Sequence, residues 1–238
     1  MTKGKKIEVF CDFDGTITKE DIGDKLFKVF GEFQPWNRKL IEREIDISEY
    51  WHILCRSLGS FEPEKVRSFA LEQEVDAYFR PFAEWCEESG LNMRIVSDGF
   101  GSYIRPILER EGLGHLPVYC NEMVFSGSNV LPVFPGASES CECFCASCKR
   151  NTVLTKAEPD SVLVFIGDGY SDYCAAEHCD IIFAKKNLAA YCNEHRIPHY
   201  PFHTFFEVKK LLKKLIENNN YKTRHQAKLK RKKAFEIE

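Results

Sequence analysis

The chain has 238 residues, 44% of them hydrophobic and 29% charged, with a formal net charge of −3. That composition suits a folded protein and excludes a disordered or fibrous one, and no apolar run reaches the length of a bilayer-spanning helix. No membrane or nucleic-acid partner is expected of the molecule as a whole, although residues 209 to 233 hold eleven Lys or Arg against a single Glu.

The opening MTKGKKIEVFCDF meets acidic residues too early for a secretory signal, so a cytoplasmic location is expected. Without a signal, the eleven cysteines read as reduced thiols or metal ligands rather than a disulfide scaffold. IEVFCDF (7–13) is apolar, β-branched and ends at DGT, as a buried parallel strand does. From Glu20 to about Cys86 the pattern turns helical, with stripes at Leu26, Phe27 and Phe30, at Ile53, Leu54 and Leu58, and at Phe69, Val75 and Phe79. This block reads as a small helical unit inserted after the first strand.

MRIVSDG (93–99) repeats the design of the first strand, and Tyr103, Ile104, Ile107 and Leu108 then share one helix face with a stop at Gly112. Residues 117–134 read as two short strands around SGSN. PGASESCECFCASC is a loop, and a short helix begins near Lys149. SVLVFIGDGYSD (161–172) is a third strand of the same kind, DIIFAK (180–185) a fourth, and TFFEVKKLLKKLIEN (204–218) the last strong helix. The basic end, KTRHQAKLKRKK, reads as a solvated tail, with an anionic partner as the other reading.

Strands alternating with helices predict an α/β fold with a mostly parallel sheet. Ligands of such sheets sit beyond the carboxyl ends of the strands, where Asp12, Ser97 and Asp168 would converge. Four carboxylates there, Asp12, Asp14, Asp168 and Asp172, repel one another unless a hard cation joins them. Mg2+ takes one or two carboxylates together with water and phosphate oxygens. With Lys149 and the Ser97 hydroxyl added, the set is suited to holding a phosphoryl group. One carboxylate can then attack phosphorus while a second, two residues on, moves the protons.

DFDGT (12–16), VSDG around Ser97, SCKR around Lys149 and GDGYSD with Asp168 and Asp172 resemble, in order, the four motifs of the haloacid dehalogenase superfamily. The helical block between the first two resembles the cap of its phosphoserine-phosphatase-like branch. CDFDGTIT, VSDGF and the cysteine before the third-motif lysine are similar to the methylthiopentane-phosphate phosphatases of methionine salvage and to the phosphocholine/phosphoethanolamine phosphatases. The resemblance implies a Rossmann-like core over 1–19 and 87–216, a helical cap over 20–86 and a basic tail over 217–238. It implies Mg2+-dependent hydrolysis of a small-molecule phosphomonoester through an aspartyl-phosphate. The substrate would be like 2,3-diketo-5-methylthiopentyl-1-phosphate or phosphoserine.

In that reading Asp12 is nucleophile and metal ligand, and Asp14 is the acid/base with its backbone carbonyl on the metal. Ser97 and Lys149 bind phosphate, Thr16, Asp98 and Gly99 shape its cradle, and Asp168 holds the metal with Asp172 in support. Asp21 and Arg56 face the substrate from the cap. Phosphoryl transfer, as in a phosphomutase, and a non-catalytic binding module using the cysteines and the basic tail are the competing readings. Cys141, Cys143, Cys145 and Cys148 are candidate ligands of a structural Zn2+. The sequence leaves the oligomeric state open.

Overall fold

The computed structural model describes residues 5–127, 129–138, 143 and 145–237. The chain opens with strand β1 (Ile7–Cys11) and enters four helices, α1 (Ile22–Phe30), α2 (Trp36–Ile41), α3 (Ile47–Ser57) and α4 (Pro63–Leu71). Helix α5 (Phe79–Glu88) returns it to β2 (Asn92–Phe100), α6 (Gly101–Arg110), β3 (Val118–Ser126), β4 (Asn129–Val133) and α7 (Lys149–Lys156). The second half runs β5 (Val162–Gly167), a 3-10 turn (Tyr170–Asp172), α8 (Tyr173–Glu177), β6 (Ile181–Ala184) and α9 (Lys186–Glu194). It ends with β7 (Tyr200–Pro201), α10 (Phe205–Glu217) and α11 (His225–Ile237).

Among the described residues seven strands form one sheet in the order β4-β3-β2-β1-β5-β6-β7. The sheet is parallel except for the β3–β4 hairpin at its edge. All five residues of β1 are buried. Val9 and Cys11 enter one apolar cluster and Phe10 the other, which is why the strand reads as an unbroken apolar run. Because β1 lies between β2 and β5, the carboxyl ends of three strands meet at one edge. This is the α/β, mostly parallel architecture expected from the sequence.

The helices after β1 leave and rejoin the sheet through paired linkers. Thr18 bridges Val75, the Lys19 amide donates to the Glu74 carbonyl at 3.0 Å, and the Asp76 amide donates to the Ile17 carbonyl at 2.9 Å. Rings then fasten the helices over the sheet edge: Phe27 lies 5.7 Å from Trp51, and Trp51 lies 5.1 Å edge-on from Phe100 at the end of β2. A division at residue 86 cuts through α5, whose Phe79 and Phe82 pack on Phe205 of α10 at 5.0 and 5.3 Å.

The C-terminal segment corrects the sequence reading. Instead of a solvated tail, residues 225–237 form a helix that buries Ala227 and Ala234. A polar clamp on the fully buried Asp180 side chain holds it. Asp180 accepts from the Leu163 amide at 3.1 Å, the Arg224 amide at 2.9 Å and the Arg231 guanidinium at 3.3 Å. Arg231 also donates to the His178 carbonyl at 2.5 Å, and Arg224 to the Cys179 carbonyl at 2.7 Å. Removing one partner of a buried pair strands the other. Asp180→Ala is therefore expected to lower stability by about 3 kcal/mol, read as a lower urea midpoint at unchanged slope.

Candidate active site

The edge where β1, β2 and β5 end carries the acidic residues. Asp12 directly follows β1, and its amide donates to the Ile166 carbonyl of β5 at 2.9 Å, so its position is fixed by the sheet. Asp168 directly follows β5, and Asp172 closes the 3-10 turn after it. Carboxylate oxygens of Asp12, Asp168 and Asp172 lie within 4.8 Å of one another, all buried.

Lys149, the first residue of α7, brings its ammonium group among them. It donates to Asp12 Oδ1 at 2.5 Å and to Asp172 Oδ1 at 2.7 Å, with its side chain 2% exposed. Burial opposes the lysine's charge, but the two carboxylates outweigh it and raise its pKa well above the usual range. Burial, then the charge of Asp172, pushes the Asp12 carboxyl well up despite Lys149. Asp172 uses its second oxygen to accept the amides of Asp168 and Gly169, each at 2.9 Å, and so ties the lysine to the turn that carries Asp168. Thr16 Oγ1 lies 3.0 Å from Asp12 Oδ2 and 3.1 Å from Asp168 Oδ1, between the two carboxylates.

Asp14 faces away from that trio, toward the helical insertion. It accepts from the Ile22 amide at 3.0 Å, Tyr103 Oη at 3.0 Å and Ser97 Oγ at 3.2 Å. Burial pushes its pKa up to about 6 against those hydrogen bonds. Gly15 makes the turn between the two aspartates with φ +70°, the left-handed region that glycine enters without penalty. The Gly99 amide in turn donates to Ser97 Oγ at 2.9 Å.

Asp98 lines the cavity that these groups share and accepts from the Ala146 and Ser147 amides at 2.8 and 3.0 Å, from Asn121 Nδ2 at 3.2 Å and from Trp51 Nε1 at 3.3 Å. Its carboxylate therefore sets the course of the loop that delivers Lys149. The expected residues Asp12, Asp14, Thr16, Ser97, Lys149, Asp168 and Asp172 thus come together, with Gly99 beside them. Asp21, the N-cap of α1, lines the same cavity, which encloses about 460 Å³. Arg56 does not reach it: the residue is exposed in the last turn of α3 and is not among the cavity's lining residues.

Three residues here escaped the sequence reading. Tyr103 falls on an apolar helix face in the sequence, yet its hydroxyl donates to Asp14 Oδ2 at 3.0 Å. Trp51 reaches Asp98 from the insertion. Lys186 donates to Asp168 Oδ2 at 2.8 Å and to the Gly15 carbonyl at 3.2 Å; the only hint in the sequence was a lysine pair just after a strand. The zinc expectation finds no support. Cys141 lies outside the described residues, and among those described Cys143, Cys145 and Cys148 form no metal-binding group. Cys148 instead caps α7, accepting the Asn151 amide at 3.4 Å.

Residues 9–177 match the haloacid dehalogenase-like hydrolase family model. The chain is 31% identical over 216 residues to a 2-hydroxy-3-keto-5-methylthiopentenyl-1-phosphate phosphatase of Brevibacillus brevis, covering 89% of this chain and 97% of that one. It is also 31% identical over 215 residues to the protein of the same name from Bacillus mycoides, covering 89% and 98%. Among solved structures, a phosphoserine phosphatase carrying a phospho-aspartyl intermediate analogue superposes with a TM-score of 0.65 at 17% identity, over 88% of this chain and 99% of that chain. A cytosolic 5'-nucleotidase bound to cytidine superposes with a TM-score of 0.62 at 16% identity, over 90% and 86%. Those two likenesses are of fold. This chain belongs to the haloacid dehalogenase-like hydrolase family. It is an enzyme, of phosphatase type.

A Cβ at Gly99 would lie 2.0 Å from Tyr103 Oη and 2.3 Å from Asp14 Oδ2. Gly99→Ala is therefore expected to displace Asp14 and to lower kcat for an aryl phosphate by about 100-fold or more. The thermal unfolding midpoint should fall by no more than about 5 °C. Steady-state release of inorganic phosphate and a melting curve check the pair of outcomes.

Proposed function

We propose that the chain is a Mg2+-dependent phosphomonoesterase acting on a small metabolite through a phosphorylated Asp12. The observation that carries this reading is the Lys149 ammonium bridging Asp12 and Asp172 where Asp168 completes a carboxylate trio. The residues fit a divalent cation. Three buried carboxylates face one buried ammonium, with Lys186 on the outer oxygen of Asp168, and such hard oxygen donors favour Mg2+ over softer metals. Asp12 and Asp168 would hold the ion, with Asp172 behind them and the Asp14 backbone carbonyl as a further ligand. Bound there, Mg2+ supplies positive charge that offsets the phosphoryl oxygens.

In this reading an Asp12 oxygen forms a bond to phosphorus as the ester P–O bond breaks, with Lys149 and Ser97 binding the phosphoryl oxygens. The departing alcohol oxygen takes a proton from the Asp14 carboxyl, whose raised pKa keeps that proton available. Water then attacks phosphorus and gives a proton to Asp14 while the bond to Asp12 breaks, releasing inorganic phosphate and restoring both carboxyls. The Ile22 amide, Tyr103 and Ser97 support this role by fixing the Asp14 carboxylate toward the leaving-group side.

Helices α1–α4 would act as a cap that keeps bulk water out and selects the alcohol. A boundary before α5 suits this division, since α5 packs against α10. The names of the bacillar relatives make methylthio-ketopentenyl phosphate a substrate to test, and the fold neighbours add phosphoserine.

Asp12→Asn is expected to lower phosphate release by about 1,000-fold or more with an unchanged far-ultraviolet circular dichroism spectrum, and chelation of Mg2+ should abolish wild-type turnover. Release at near wild-type rate from the variant would defeat the mechanism.

A further inference from the structure

A second cavity lies at the other end of the sheet from the strand-end acids. It holds about 380 Å³ where Lys5 precedes β1, residues 157–161 lead from α7 into β5 and one face of α11 closes over them. Helix α11 contributes Lys228, Arg231, Lys232 and Phe235, positions spaced i, i+3, i+4 and i+7 that share one helix face. The buried side chains of Leu154 and Leu163 line it as well. The basic C-terminal run, which the phosphoester chemistry leaves unused, thus forms one wall of a cavity with an apolar floor.

Positive charge is in excess there. Of the two lining acids, Glu158 pairs with Lys6, which leaves Asp160. Arg231 is committed to Asp180, and Lys232 approaches Glu236 at 3.8 Å. Among the described residues no carboxylate pairs with Lys5 or Lys228. Close by, Arg224 gives its guanidinium to the Ala176 and Cys179 carbonyls at 3.1 and 2.7 Å, so its charge is not matched by a paired carboxylate either. Phe235 is 61% exposed at the cavity and stacks on no other ring among the described residues. Two unpaired ammonium groups beside an open aromatic face suit a ligand with more than one negative charge and a flat ring. The volume is that of a small-molecule site.

We propose that this cavity binds a nucleoside polyphosphate or a molecule of the same chemistry, a planar ring bearing linked phosphates. The phosphates meet Lys5, Lys228 and Lys232, and the ring lies against Phe235. The site is separate from the strand-end acids and does not depend on the reaction performed there. Its occupant touches both α11 and the segment entering β5, and so fastens the C-terminal helix to the sheet.

ATP in the presence of EDTA tests the assignment on the full chain by titration calorimetry. The chelator keeps the strand-end carboxylates free of divalent cation, and their negative charge then repels the probe. One saturable site is expected, with adenosine binding at least about tenfold more weakly. Lys5→Gln and Lys228→Gln, both at exposed positions, should each weaken ATP about fivefold or more. Phe235→Ala should weaken ATP by about the same factor and leave inorganic pyrophosphate unchanged, because pyrophosphate has no ring to stack.

ATP should also slow amide hydrogen exchange along α11 and leave residues 12–16 and 168–172 unaffected. Absence of saturable binding, binding indifferent to all three substitutions, or protection at 12–16 in place of α11 overturns the inference. So does a single-stranded RNA that binds more tightly than ATP, which would assign the basic helix to a polymer. Phosphate release enters none of these readings, so each outcome leaves the phosphatase reading as it stands.

Discussion

The arrangement at the sheet edge depends on one buried ammonium group. Asp12, Asp168 and Asp172 are forced together by the geometry of the parallel sheet, because two follow adjacent strands and the third closes the next turn. Three carboxylates so close, out of water, would each resist ionisation. Lys149 relieves part of that conflict by donating to two of them, and the remaining negative charge suits the place to a cation. The lysine cannot be supplied by the strands themselves. It arrives from a loop more than a hundred residues after Asp12, so something must hold that loop.

Asp98 does the holding. Its carboxylate accepts the Ala146 and Ser147 amides just before Lys149, a side-chain amide from β3 and the indole of Trp51 from the helical insertion. Four donors on one buried acid stabilise its ionised form against the desolvation that raises its pKa. A single residue thus links the end of β2, the loop that positions the lysine and the cavity wall formed by the helical insertion. Trp51 of α3 and the backbone just before Lys149 thus share one acceptor.

The machinery at the strand ends was legible in the sequence because its spacing is local and its surroundings repetitive. Apolar runs that stop at Asp, Ser or Gly mark strand ends, and the parallel sheet does the gathering. Residues that act through a second role were not legible. Tyr103 sits on an apolar helix face and only the fold turns its hydroxyl to Asp14; Lys186 follows a strand by two residues and only the left-handed backbone at that residue, φ 47°, precedes its reach back to Asp168. The C-terminal helix was missed for a different reason. It buries little more than two alanines and is held by arginines on Asp180, a pattern that in sequence looks like a run of solvated charge. Arg56 shows the opposite failure, since its helix position was compatible with the cavity and the packing of α3 turned it to solvent.

Cap and core carry different kinds of information, and the comparisons reach them unequally. Sequence identity of 31% with the bacillar relatives shows the family, and a fold shared with phosphoserine phosphatase at 17% shows the frame that brings the strand-end residues together. The opposite wall of the cavity is built by side chains from α1 to α3, where a change from one residue type to another alters charge without disturbing the sheet. On that side the charged residues lining the cavity are Asp21 and Asp24, while among the described lining residues the cations Lys149 and Lys186 pair with carboxylates at the strand ends. Likeness of fold accounts for where the strand-end acids gather, and the proposed reading leaves the choice of alcohol to the opposite wall of the cavity.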